Sequence, residues 1–187
     1  MLTNIKKHLG HLALGLVLSG LAGFAYAADT AGKSAQELQK YSGTWEIKAI
    51  IRSSKSADPV EIAGVAEKKV VGDRWIISNF QADFFGVKFS GQDFLGYDEN
   101  AGNWRAVWVD SMNDHSIEYT GAGKNADDLV MKGRSKDPAS GEWVVEKRTD
   151  VWHGADEFDT NFFIVLPDGT EYQSLSIKHK RKLPTPT

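Results

Sequence analysis

Between residues 43 and 181 the chain never settles into a helical period. It advances instead in short runs of β-branched and aromatic residues, each cut by a turn signal. The breaks fall at Gly72-Asp73, Asp98-Glu99-Asn100-Ala101-Gly102, Met112-Asn113-Asp114, Asp137-Pro138-Ala139-Ser140-Gly141, His153-Gly154-Ala155 and Pro167-Asp168-Gly169. Gly, Asn, Asp and Pro reach turn dihedrals at little cost. Strands are therefore expected over 44–52, 59–71, 74–81, 85–97, 103–111, 115–121, 128–134, 143–153, 157–165 and 171–181. Trp45, Ile47, Ala49 and Ile51 share one face of the first run, with Glu46, Lys48 and Arg52 on the other. Trp104, Ala106 and Trp108 share a face, as do Leu175 and Ile177. One apolar face per strand means antiparallel sheet wetted on one side. About ten such strands on short connections predict an all-β, antiparallel up-and-down meander, and closing it into a barrel removes its edges.

The residues before the first strand divide in three. Lys6 and Lys7 precede an uncharged apolar run from Leu12 to Phe24, and Ala25-Tyr26-Ala27 supplies the small-x-small pattern cut by signal peptidases. The apolar run falls short of the roughly 20 residues that span a bilayer. Residues 1–27 are thus expected to be a removed signal peptide, giving a periplasmic or secreted protein without an integral membrane segment. Residues 28–33 read as a flexible leader. Ser34 with Glu37 forms a capping-box pattern for a short helix over 34–41. The barrel domain is expected over 34–182, and the proline-bearing end, 183–187, as a disordered tail.

Composition removes several kinds of chemistry. With no cysteine in 187 residues, thiolate catalysis, Cys-ligated metals and disulfide support are excluded. Loss of Lys6 and Lys7 takes the formal charge from −3 to −5, and no basic stripe is present, so nucleic acid is not an expected partner.

The order of short motifs is similar to a known family. A helix leads into Gly43-Thr44-Trp45. Then come Gly72-Asp73-Arg74-Trp75-Ile76, Phe89-Ser90-Gly91, Gly96-Tyr97-Asp98, Trp108-Val109-Asp110-Ser111, Gly121 and Gly169-Thr170-Glu171-Tyr172, with Arg181 ending the last strand. This series resembles the bacterial domain-of-unknown-function family 1579 over about residues 34–182. The resemblance implies a calycin-like, lipocalin-like barrel, often exported, and no established activity. Gly-x-Trp with a late basic residue is also similar to lipocalins and fatty-acid-binding proteins. There a Trp plugs one barrel end beneath an Arg, which implies a structural pair of Trp45 and Arg181.

Candidate chemistry sits on a few side chains. After removal of the leader, His115, His153 and His179 remain, none at metal-ligand spacing from another, so no metal site is expected. Alternation groups His115 with Ile117 and Tyr119, and His179 with Leu175 and Ile177. An inward His could ligate a haem iron, the one cofactor alternative; otherwise it is a hydrogen-bonded interior or rim residue. Asp110, Ser111 and His115 contain the residue types of a hydrolytic triad, without a Gly-x-Ser-x-Gly elbow. Asp110 could equally cap the turn at 112–114. In strand 143–153, Glu146, Arg148 and Asp150 share one face and Lys147 and Thr149 the other. Either one charged row enters the barrel, where it must be paired, or the hairpin projects past it. Six Trp, with Phe85, Val87 and Phe89, either line a cavity or fill the core, since barrels of this size can do both.

These residues predict an exported barrel binding a small molecule with an apolar body and a polar head. Trp75, Phe89 and Trp108 would supply apolar area, and Asp110, His115, Tyr119 or His179 would orient the head, with Asp110 beside His115. The alternatives are an enzyme using His115 as general base in the same cavity, and a structural or interaction barrel with a filled core. The intact mass of the exported protein should equal that of Ala28–Thr187; the mass of the full chain would contradict the assignment of a cleaved leader.

Overall fold

The computed structural model describes residues 36–122, 127 and 129–183. The expected signal peptide, the leader, Ser34 and positions 184–187 of the expected tail lie outside the described residues. A helix over residues 36–41 is followed by ten strands: β1 (Gly43–Ile51), β2 (Val60–Val71), β3 (Trp75–Phe84), β4 (Val87–Asp98), β5 (Asn103–Asp110), β6 (Ile117–Ala122), β7 (Val130–Lys136), β8 (Trp143–Trp152), β9 (Glu157–Val165) and β10 (Glu171–Arg181). Each pairs antiparallel with its sequence neighbour, and β1 pairs with β10, so the meander closes into a barrel without a free edge. No helix among the described residues is long and apolar enough to cross a membrane.

Alternation decides what enters the lumen. On β1, Trp45, Ile47, Ala49 and Ile51 point inward and Glu46 and Lys48 outward. A register shift at Gln173–Leu175 in β10 lets Tyr172 and Ser174 be buried at one end and Ile177 and His179 at the other. Pairing also corrects the sequence reading of three aromatics. Ile76, not Trp75, faces inward, because Ile76 lies opposite buried Leu95 while Trp75 lies opposite Gly96. The Trp75 indole covers Gly96 on the outer surface and stays 40% exposed. Phe85 is 78% exposed in the β3–β4 turn, where its φ is +53°, and Val87 and Trp143 also face out.

One end of the barrel is plugged. Leu38 and Tyr41 of the helix are buried against it. Tyr41 packs edge-on against Trp152 and Phe158, and Trp45 edge-on against Phe158 with centroids 5.0 Å apart. The Trp45 indole N–H donates to the Tyr41 carbonyl at 2.8 Å. The Arg181 guanidinium lies 4.1 Å from the Trp45 ring centroid, a cation–π distance. Arg181 also donates to the carbonyls of Lys40, Ser42 and Ala155 and to Asp156. This strap explains Gly43. Its φ is +127°, and a Cβ there would come within 2.8 Å of Arg181 Nη1.

Above the plug the lumen is charged. Glu146, Arg148 and Asp150 of β8 all point inward and are buried, so the hairpin is part of the barrel wall rather than a projection. Arg148 donates two hydrogen bonds to Asp93 of β4, at 2.8 and 2.9 Å, and its Nε lies 3.6 Å from Asp150. Tyr41 donates to Asp150 at 2.8 Å, linking helix to cluster. Lys68 donates to Ser78 and lies over the Phe80 ring; burial brings its pKa down to about 8.

Trp45→Ala should cost about 3–5 kcal/mol, as expected for a large buried aromatic. Asp93→Ala should cost a similar 3–5 kcal/mol, because it strips the bidentate partner from a buried guanidinium. Urea unfolding monitored by far-UV circular dichroism measures both. Wild-type midpoints would contradict the plug and the charged tie.

Candidate functional site

The open half of the barrel holds a cavity of about 310 Å³. Its wall is apolar: Ile47 and Ala49 of β1, Ile62 of β2, Phe80 of β3, Phe89 of β4, Trp108 of β5, Ile117 of β6, Phe162 of β9 and Ile177 of β10. Each lies on the inward parity of its strand, so the lining follows directly from alternation. Phe80 meets Trp108 edge-on at 5.2 Å, and Phe89 stacks on Trp108 at 6.3 Å. Gly91 makes that arrangement sterically possible, since a Cβ there would sit 2.6 Å from the Trp108 ring.

The floor is polar. Tyr119 of β6 donates its hydroxyl proton to Glu146 Oε1, and Ser135 of β7 donates to Glu146 Oε2 at 2.9 Å. All three residues line the cavity and all are buried. Burial raises the Glu146 pKa, against the opposing pull of the two hydrogen bonds and of Arg148. Burial first, then the Glu146 charge and hydrogen bond, push the Tyr119 phenol well above its ordinary value. The floor at neutral pH is therefore an oxygen-rich patch with Tyr119 as a fixed donor.

The mouth carries Arg52, Asp110, Asn113, His115 and Lys136. Asp110 and His115 both border it, as alternation requires, but they do not bond each other. The Asp110 carboxylate accepts from the Trp108 indole N–H at 2.7 Å, from the Met112 and Asn113 amides and from the Asn113 side chain. Partial burial pushes its pKa up, the four hydrogen bonds outweigh that, and the net shift is downward. Asp110 is thus the cap of the β5–β6 turn. The neighbouring carboxylate of His115 is Asp114, 3.1 Å from Nδ1, and the imidazole meets Trp143 edge-on at 5.1 Å. Ser111 accepts from the Ser90 amide. The three candidate triad residues consequently engage three separate partners.

His179 faces inward but does not line the cavity. Its ring stacks on Phe158, with centroids 4.0 Å apart and planes 5° apart, and it touches Trp45 and Phe80 edge-on in the closed half. Burial, then the Lys68 ammonium, hold its pKa well below the imidazole value, against weaker contributions from the Phe158 and Ile177 backbone. No cluster of three or more metal-ligating side chains occurs among the described residues.

Of the candidates from sequence, the structure brings Phe89, Trp108, Asp110, His115 and Tyr119 to one cavity, places Trp75 outside and walls off His179. Sequence reasoning missed Glu146 and Ser135 as the floor. The signal was present in the charged inward row of β8, which could be assigned to the lumen or to solvent until the strand pairing fixed it.

Solved structures with similar architecture include designed barrels and a lyase. The S-type phycobiliprotein lyase of Guillardia theta superposes with a TM-score of 0.51 at 11% identity, covering 84% of this chain and 98% of that one, and shows the same fold. A de novo designed fluorescence-activating β-barrel matches with a TM-score of 0.42 at 16% identity, covering 78% of this chain and 96% of the design. A redesigned β-barrel matches with a TM-score of 0.40 at 12% identity, covering 81% and 96%. Comparison with curated proteins finds no match. The family model described as "Protein of unknown function (DUF1579)" matches residues 30–181, and the chain belongs to that family.

Proposed function

We propose that the protein is an exported binding barrel that holds one small molecule with an apolar body and a polar head. The observation that carries this reading is the cavity itself: about 310 Å³ of space, walled by aromatic and aliphatic side chains, with hydrogen-bonding groups confined to its floor and mouth. That volume and that division of polarity are those of small-molecule sites. A barrel of this kind without a ligand function would gain stability by filling the space, because each buried void forfeits packing contacts. Phe89, Trp108, Ile117 and Phe162 supply contact area to the body. Tyr119 at the floor and His115 at the mouth are the residues of the original candidate set placed to meet a polar group. Asp110 acts by fixing the turn and the Trp108 ring that form one side of the mouth. Export is the reading of the leader pattern at residues 1–27.

A neutral naphthyl alcohol should bind the purified barrel in isothermal titration calorimetry with one site per chain. Ala49→Trp adds a large ring to the cavity wall and should weaken that binding by about tenfold or more, while leaving the unfolding midpoint at or above that of wild type. Unchanged affinity in Ala49→Trp would place the binding elsewhere.

A further inference from the structure

The charges buried in the lumen do not balance. Among the described residues, and leaving aside His179 and the neutral tyrosines, the buried ionisable groups are Lys68, Arg148, Asp93, Asp150 and Glu146, two cations against three carboxylates. Asp93 has a bidentate bond to Arg148, and Asp150 sits beside the same guanidinium with the Tyr41 hydroxyl on its other oxygen. Lys68 lies under the Phe80 ring, bonded to Ser78, on the closed side of that ring. Glu146 differs from both aspartates. Its bonds come from two neutral hydroxyls, Tyr119 and Ser135, and it alone of the three carboxylates lines the open cavity. A buried carboxylate whose contacts are neutral hydroxyls, with Arg148 acting on it only at longer range, is costly, and a proton or a visiting cation lowers the cost.

We infer that the ligand of this cavity carries a protonated amine, which it presents to Glu146 at the floor. The inference rests on the binding reading above and narrows it to hydrophobic amines. The walls agree with it. Phe162 and Tyr119, with ring centroids 6.1 Å apart, flank the floor, and aromatic faces attract an ammonium group and not a carboxylate. The Arg148 guanidinium lies 5.8 Å from the Phe162 centroid but is already answered by two aspartates. An anionic head at the floor would add a fourth negative charge to a lumen with two positive ones. Two cations, Arg52 and Lys136, border the mouth, with Lys136 3.7 Å from Asp114, whereas at the floor Glu146 is met by hydroxyls alone.

The test uses three probes that share one body: naphthylmethylamine, naphthylmethanol and naphthoate, titrated calorimetrically at neutral pH into the wild-type barrel and into Glu146→Gln. Glutamine keeps the shape and can still accept from Tyr119. The amine is expected to bind wild type at least about tenfold more tightly than naphthoate, the order set by an unscreened buried charge. Glu146→Gln should erase that preference and leave naphthylmethanol within about twofold. Equal or tighter binding of naphthoate to wild type overturns the inference on its own, whether or not the variant folds. So does an amine preference that survives in Glu146→Gln. Binding of naphthylmethanol without amine preference overturns the inference and keeps the binding reading, whereas binding of none of the three overturns both.

Discussion

Arg148 is the charge around which the interior is arranged. Its guanidinium spans the lumen from β8 to Asp93 on β4 and rests against Asp150, which holds Tyr41 of the helix. The cluster divides the barrel into two halves of different character. On one side lie the rings of Trp45, Tyr41, Trp152, Phe158 and His179, closed by the Arg181 strap. On the other lies the cavity. Two aspartates beside it raise the affinity of Arg148 for its proton despite the cost of burial. A buried cluster of this sort contributes little net stability beyond what an apolar core would give, and its removal in part is costly. Its effect here is geometric: it keeps the aromatic plug from extending upward and leaves the upper lumen unfilled.

The polar groups of the two halves obey one rule. Wherever a charge enters the lumen, a partner from another element meets it, from the next strand for Lys68 with Ser78 and from fifty-five positions away for Arg148 with Asp93. Glu146 obeys the rule only halfway, with hydroxyl donors and no cation in contact. Desolvation therefore acts on it with the least compensation, and its pKa is raised. Because a raised carboxyl pKa means the folded state binds its proton more tightly than the unfolded chain, Glu146 favours folding at acid pH. That contribution fades as pH rises from the ordinary glutamate range through the raised value. A cation in the cavity would supply in neutral solution what the proton supplies in acid.

Much of the fold was legible because a barrel strand declares its inner face by alternation. The strand ranges read from turn residues fall within a few positions of those observed, and the Trp45–Arg181 contact follows from a glycine two residues before the Trp and the last inward position of β10. Alternation failed where both faces are similar. Trp75-Ile76-Ile77 is apolar on each side, and only the pairing of Ile76 with Leu95 turns the indole outward onto Gly96. It failed in the opposite way on β8, where both rows carry charge and the inward one is stabilised by Asp93, fifty-five positions away. Asp110 and His115 were correctly brought to one rim, yet each has a nearer partner in its own turn. Local hydrogen bonds of Asx type form ahead of cross-strand ones.

The central claim is that the upper lumen is an occupied site rather than a packing fault. Native mass spectrometry of the protein isolated from the cells that make it, followed by denaturation and mass analysis of what is released, addresses that claim most directly. The account predicts a single small-molecule mass at close to one per chain, lost on unfolding and absent when Ala49→Trp fills the cavity. Polypeptide of bare mass alone, or an adduct that persists in Ala49→Trp, would contradict it.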